Sequence, residues 1–321
     1  MNQKKLSRAA QCVRLLSAIT VLCLLSTEPI AWTQADRGVQ SEPSQPAYGK
    51  DFWQAIARND YKPPAGKSTA ELSQPLSAML GSPDPEMRDQ IAYTTFAHWI
   101  YQDRTLSPDD LRPLITEWLS NLTKDVGGAG TDAVLRRSFS ALVLSVVMAR
   151  DNAAPFLQEE EFRRILNGAI AYADAERDLR GYDPEKGWFH SAAHTADLLK
   201  FLGRSRYLKE ADQASILGAI SRKMTSAEIV FTFGEDERMA RAVLSIVARK
   251  DFDSRAFQEW LTNCKPVPPT SDSPSLGDLR TLQNLKNMLA KLEVLLVNPS
   301  PDAPHAKDTA VAVEKTLNGA F

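Results

Sequence analysis

Gly187-Trp188-Phe189-His190-Ser191-Ala192-Ala193-His194-Thr195-Ala196-Asp197-Leu198-Leu199 is the stretch on which the reading of this chain turns. It holds two of the four histidines, four residues apart, with a carboxylate three residues further on. Read as a helix, at about 100° per residue, it places His190, His194 and Asp197 within about 60° of one another. Trp188, Phe189, Ala192, Ala196, Leu199 and Leu202 fall on the opposite arc. The expectation is a polar ridge on an otherwise buried helix. Two imidazoles and a carboxylate at this spacing can share a divalent metal, or form an acid–base pair with an orienting carboxylate. The plainer alternative is a hydrogen-bonded polar face packed on the next helix, because buried polar groups are normally paired.

Outward from this stretch the chain looks repeated. One segment reads Asp84-Pro85-Glu86-Met87-Arg88-Asp89-Gln90-Ile91-Ala92-Tyr93. Another reads Asp132-Ala133-Val134-Leu135-Arg136-Arg137-Ser138-Phe139-Ser140-Ala141-Leu142, and a third Glu235-Asp236-Glu237-Arg238-Met239-Ala240-Arg241-Ala242-Val243-Leu244. Each opens on acidic residues, which suit the positive end of a helix. An arginine follows, then a small residue before an apolar run. Helical patterns over Thr69–Leu80, Leu111–Leu122, Glu159–Tyr172 and Gln213–Met224 precede the segments and the central stretch. Arg88, Arg137 and Arg238 share one slot; Ala92, Ala141 and Ala242 share the slot four later. A unit of roughly 50 residues repeats, like the paired helices of HEAT or armadillo arrays. If Trp188–Leu202 is the second helix of its unit, His190 takes the arginine slot and His194 the alanine slot. One repeat thus departs from the array's own pattern, and both departures are histidines.

The fold class is therefore all-α, a solenoid of stacked helix pairs over residues 51–298. Val230-Phe231-Thr232-Phe233 is the nearest approach to a strand and is too short to build a sheet. Leu282, Leu285, Leu289, Leu292 and Leu296 form the apolar stripe of a helix that caps the array. Pro299-Ser300-Pro301 ends it, leaving residues 299–321 as a tail with at most one short helix and a solvated His305. Asp178 to Gly187, with Gly181 and Pro184, reads as a turn-rich loop at one edge, where Arg180, Tyr182 and Trp188 are candidate ligand contacts. Glu235 and Asp236 occupy the equivalent loop one repeat on, as candidate further ligands or simply as helix N-terminal charge. His98 reads as a packing histidine.

Residues 1–35 read as a secretory signal peptide. Lys4, Lys5, Arg8 and Arg14 precede an apolar run from Leu15 to Leu25, too short to span a bilayer. Cleavage after Ala35 would release a periplasmic or secreted protein with no transmembrane segment. Residues 36–50 are a polar, Pro-bearing linker. Of the three cysteines, Cys12 and Cys23 lie in the leader, so Cys264 has no internal partner. A net charge of −2 and a pI of about 6.1 give no electrostatic case for nucleic acid.

Several chemistries are absent. Ser191 stands where a zinc protease of the His-Glu-x-x-His type needs its glutamate. The chain has no Gly-x-Ser-x-Gly elbow, no Walker loop and no dinucleotide fingerprint. The glycine-rich Asp125–Gly130 lacks the Walker lysine and links two helices. The His-Glu dipeptides by which some helical-repeat enzymes hold two irons are missing too.

Arg180-Gly181-Tyr182, Gly187-Trp188, His190, His194 through Leu199, and Gly234 through Arg238 resemble the pattern of a bacterial family catalogued only as a domain of unknown function. Asp89 through Tyr93 and Arg136 through Leu142 are similar to it as well. The resemblance covers roughly residues 70–262. It implies an α-helical repeat fold and no reaction.

Three functions remain open, in this order. The first is a binding or scaffold module that uses a face lined by Arg88, Arg137, His190 and Arg238 for a protein, peptide or small anionic ligand. The second is a hydrolase with His190 and His194 as metal ligands or as base and acid, assisted by Asp197 or Glu235. The third is a structural envelope protein.

Overall fold

The computed structural model describes residues 48–265, 273–298 and 303–319. The expected leader and most of the polar linker lie outside the described residues. In chain order the helices are α1 (Lys50–Arg58), α2 (Thr69–Ala78), α3 over 86–102, α4 (Pro108–Asn121), α5 (Ala133–Ala153), α6 (Glu159–Ala175), α7 (Ser191–Leu202), α8 (Glu210–Ser226), α9 (Glu235–Val247), α10 (Ser254–Asn263), α11 (Leu276–Val297) and α12 (Ala306–Asn318). Helix α3 is continuous but unevenly wound: Glu86–Tyr93 and His98–Gln102 are π-type, and Thr94–Ala97 is an α turn between them. Among the described residues the only strands are β1 (Tyr182–Asp183) and β2 (Gly187–Trp188), an antiparallel pair between α6 and α7. The all-α expectation holds, with that small hairpin added.

The helix starts are written locally. Ser68 with Glu71, Ser107 with Asp110 and Ser275 with Asp278 form reciprocal capping boxes. Pro108 supplies the first residue of α4, where its missing N–H costs nothing. Asp253 caps α10 through the N–H groups of Arg255 and Ala256. Each such cap contributes about 1 kcal/mol.

The helices pack in two rows. Helices α5, α7, α9 and α11 lie side by side in that order, with α3 against the free side of α5. The other row runs α2, α4, α6, α8, α10. Within it α4 is tied to α6 by Arg112 and Glu161, and α6 to α8 by Arg163 with Asp212 and Arg222 with Asp174, pairs separated by 49, 49 and 48 residues; α2 is tied to α4 at 43 residues, through Gln74 and Glu117. Between the rows lies an apolar core that includes Trp53, Phe96, Trp118, Phe139, Phe162, Ile216 and Met239, all sealed from solvent. Burial of each such side chain is worth about 1.5–3 kcal/mol. Ala92, Ala141 and Ala242, which the sequence pattern aligns, are likewise fully buried.

Helix α12 packs on α11 and α10, with Val313 and Leu317 turned into the core. Pro46–Phe321 is thus one compact unit, and the expected tail carries part of it. His305 rests against the Phe252 ring at 5.2 Å rather than standing in solvent. Among the described residues, no helix is long and apolar enough to cross a membrane.

Candidate functional site

Helix α7 begins three residues later than its periodicity suggests. Gly187 and Trp188 belong to the hairpin, with Trp188 opposite Tyr182 and Gly187 opposite Asp183. His190 is the residue just before the helix, at φ 47° and ψ 33°. That left-handed conformation costs a non-glycine residue about 1–2 kcal/mol. Trp188 and Phe189 therefore do not ride on the helix, and His190 shares only its first turn.

The hairpin is fastened from several sides. Nη2 of Arg88 donates to the carbonyls of Lys186 at 2.6 Å and Trp188 at 3.2 Å, and Nη1 donates to that of Ser82 at 2.7 Å. Lys186 pairs with Asp132 at 2.8 Å. Arg180 pairs with Asp178, donates to the Thr131 carbonyl and lies 3.9 Å over the Phe189 ring. A Cβ added at Gly187, which sits at φ +71°, would strike Pro85, and one at Gly181 would collide with the Phe233 ring.

The two histidines are held differently. The Ser138 hydroxyl donates to the Phe189 carbonyl and so accepts from Nδ1 of His194 at 2.8 Å. This fixes the proton of His194 on Nδ1 and leaves Nε2 as its lone pair. His190 stacks on Trp188 at 4.1 Å and meets His194 edge to face at 5.8 Å. Its Nε2 is buried and has no hydrogen-bond partner. Burial, then the Arg238 cation, lowers the pKa of His190 to about 4, with Asp197 opposing. Burial, then His190 and Arg238, holds His194 well below the usual range. Both rings are neutral at pH 7.

The expected metal set of His190, His194 and Asp197 does not assemble. Oδ1 of Asp197 accepts from Lys200 at 2.8 Å and Oδ2 from Arg238 at 2.6 Å. With both oxygens engaged by cations, the carboxylate is committed. Among the described residues no group of three or more His, Cys, Asp or Glu side chains is placed to hold a metal ion. The Arg238 charge, which adds to burial in depressing both imidazoles, also opposes a bound cation.

The expected arginine face does not form either. Arg88 is 0% and Arg137 1% exposed. Arg137 forks onto Glu176 through Nε at 2.6 Å and Nη2 at 3.1 Å, and caps the Lys124 and Asp125 carbonyls. Both arginines are internal clamps. Of the four residues expected on that face, only Arg238 reaches water appreciably. Glu235 and Asp236 are buried at the start of α9. Glu235 accepts the Phe233 N–H and Asp236 the Glu237 N–H. Burial raises the Glu235 carboxyl above its ordinary value.

What the fold does bring together is an aromatic edge. Tyr182 lies 4.7 Å from Trp188 at 62°, and Phe233 lies 5.8 Å from Trp188 at 77°. Tyr182, on the fastened hairpin, and Phe233, on the loop before α9, are 49% and 47% exposed, large values for aromatic rings. Ser138, Asp89 and Tyr93 escape the sequence reading. Burial raises the Asp89 carboxyl, and burial with the charges of Asp197 and Asp89 raises the Tyr93 phenol. These two sit four residues apart on the π-type stretch of α3, a signal available in the sequence. Ser138, one serine between Arg137 and Phe139, gives none.

A family model described as "Protein of unknown function (DUF2785)" matches residues 122–295, more than half of the 321-residue chain. The match takes in the hairpin and helices α5 to α10. No curated protein and no solved structure matches.

Proposed function

The chain belongs to the family described as Protein of unknown function (DUF2785), and from that premise we propose a binding module whose ligand meets the aromatic edge of Tyr182, Trp188 and Phe233, with Arg238 beside it. The two helix rows, and the similar step between α4, α6 and α8, favour a stacked helical-repeat array as the scaffold. The basic and apolar leader favours an exported protein.

One observation carries the reading. Tyr182, on a hairpin that a wholly buried arginine locks in place, and Phe233, on the loop before α9, keep about half their surface in water. Exposed aromatic area is a poor use of a rigid loop unless something covers it. Because the backbone is already ordered, a ligand meets little further entropy cost there. The partner chemistry is a peptide that offers a flat apolar side chain, aromatic or proline, to the rings. A hydrolase built on His190 and His194 needs a reacting atom beside Nε2 of His190, and that atom is sealed from solvent.

A peptide array containing Trp, Tyr and Pro side chains, probed with wild type and with Tyr182→Ala/Phe233→Ala, tests this. The expected result is binding lost in the variant with the melting temperature nearly unchanged. Unchanged binding with a melting temperature lowered by about 5 °C or more would return both rings to a structural role.

A further inference from the structure

The opposite ends of the same helices carry a second feature. A cavity of about 550 Å³ lies over the C-terminal halves of α3, α5 and α7. A larger one, about 1020 Å³, lies over the C-terminal parts of α5, α7, α9 and α11. Asn152 and Arg204 line both, so the two form one trough crossing five helices. The hairpin edge is at the N-terminal end of α7, and the trough is at its C-terminal end.

The trough is basic on a chain of net charge −2. Its charged lining is Lys200, Arg204, Arg206, Arg241, Arg249 and Lys250 against Asp151, Asp197 and Asp251, six cations to three anions. Helix C-termini attract cations without any ligand, and this accounts for part of the set. Arg249 caps the carbonyls of Gly203, Ser205 and Leu208 and pairs with Asp251. Arg206 pairs with Asp151 and caps Leu157. Arg241 pairs with Glu237, and Lys200 with Asp197. Arg204 is different. Its Nε donates to the Ser245 hydroxyl at 3.0 Å and its guanidinium lies 5.2 Å over the Phe201 ring, but among the described residues no carboxylate meets it. It stands where the two cavities join, with the Lys250 ammonium on the same lining. A partly desolvated guanidinium without a counter-charge is costly, and an arriving carboxylate offsets that cost through a two-pronged bond.

We propose that this trough is a second binding site, taking an extended acidic segment of a partner polypeptide, with Arg204 gripping a carboxylate at its middle. The size favours a chain over a small anion. Five helices at about 9 Å spacing span roughly 36 Å, the length of about 11 extended residues. The apolar lining from Phe201, Leu244 and Leu295 suits a segment that alternates acidic with apolar side chains. Asp197 and Asp251 on the same lining disfavour a continuous phosphate polymer.

The test is fluorescence anisotropy of the purified chain with a labelled dodecapeptide alternating Glu with Leu, beside the Lys counterpart. Arg204→Gln and Arg204→Glu/Lys250→Glu are the trough variants; none of these changes removes an ion pair inside the protein. The expected result is binding of the Glu peptide alone, weakened by added salt, about tenfold weaker in Arg204→Gln and lost in the double variant, with circular dichroism unchanged. Equal binding of the two peptides, or equal affinity in the variants, overturns the proposal. So does displacement by a 12-mer oligonucleotide at lower concentration than by unlabelled Glu peptide. Loss of binding in Tyr182→Ala/Phe233→Ala instead of the trough variants would move the peptide to the hairpin edge, so the two sites fail separately.

Discussion

Nη2 of Arg88 donates to the carbonyl of Lys186 at 2.6 Å, across 98 residues of sequence. No part of Arg88 touches solvent, and its hydrogen-bond partners are the backbone carbonyls of Ser82, Lys186 and Trp188. The charge is accommodated by those dipoles and by the face of Phe139, 4.9 Å away. A buried cation held in this way is expensive to desolvate. What it obtains is a fixed hairpin, and so a fixed position for Tyr182, Trp188 and His190.

Arg88→Met keeps the length of the side chain and removes its donors. Three carbonyls then lose their partner, and a loss of about 3–5 kcal/mol is expected. Arg88→Lys restores only part, since one ammonium cannot reproduce the planar fork. Urea denaturation gives the stability, and limited proteolysis should show new cleavage between residues 181 and 189. A change under about 1 kcal/mol, with the hairpin still protected, would mean that Arg180 and Lys186 suffice to hold it.

Arg137 and Glu176 form a buried ion pair, 1% and 2% exposed. Removing one partner strands the other, so Arg137→Met and Glu176→Met should each cost about 3–5 kcal/mol. The double variant should cost clearly less than the sum, because no lone charge is left. A double-mutant cycle by denaturant titration measures the difference. Additivity to within about 0.5 kcal/mol would show that the carbonyl caps of Arg137, rather than its pairing with Glu176, carry its value.

Many of the helices were legible because they carry a 3.6-residue apolar pattern, several with a local cap at the start. Segments such as 159–172 and 213–224 lie wholly inside observed helices. Burial was legible at the alanine slot too, since Ala92, Ala141 and Ala242 are all sealed from solvent. What the pattern misplaced is the start of α7. Two-residue strands carry no period, and the hairpin is decided by a guanidinium 98 residues upstream. The arginine slot was read as an outward face, but a slot repeated in sequence fixes position and not exposure. Arg88 and Arg137 point inward because carbonyls and a carboxylate wait there. Tyr182 and Trp188 were legible as ligand candidates from their loop; Phe233 was not, because its place against Gly181 is set by the packing of α9 beside α7.

Acid should weaken the fold through His190. Its pKa falls from the model-peptide value of 6.5 to about 4 in the folded protein, through burial first and the Arg238 charge second. Between those values the unfolded chain takes up a proton that the folded chain refuses. Stability is therefore full above pH 6.5 and falls as the pH drops towards 4. The loss attributable to His190 is at most about 3 kcal/mol. His194, buried beside it, adds in the same direction. His190→Asn keeps a residue that tolerates the left-handed backbone and removes this proton. Urea midpoints of both proteins from pH 7.5 to 4.5 should converge as the pH falls. Parallel curves would place the acid sensitivity elsewhere.

Gly181→Ala separates the aromatic edge from the rest of the fold. The added Cβ would strike the Phe233 ring, but that ring is 47% exposed and has solvent on one side to yield into. The backbone at Gly181 takes no left-handed conformation, so alanine brings no torsional penalty of its own. The expected loss of stability is about 1 kcal/mol, well below the cost of overpacking a closed core. The Trp188–Phe233 contact should break, changing the near-ultraviolet circular dichroism while the far-ultraviolet signal stays constant. If the aromatic edge is the binding surface, Gly181→Ala should weaken array binding about as much as Phe233→Ala alone. A folded variant with native near-ultraviolet signal would mean that the hairpin yields instead of the ring. That outcome contradicts a hairpin locked by Arg88, and with it the rigidity on which the proposed site depends.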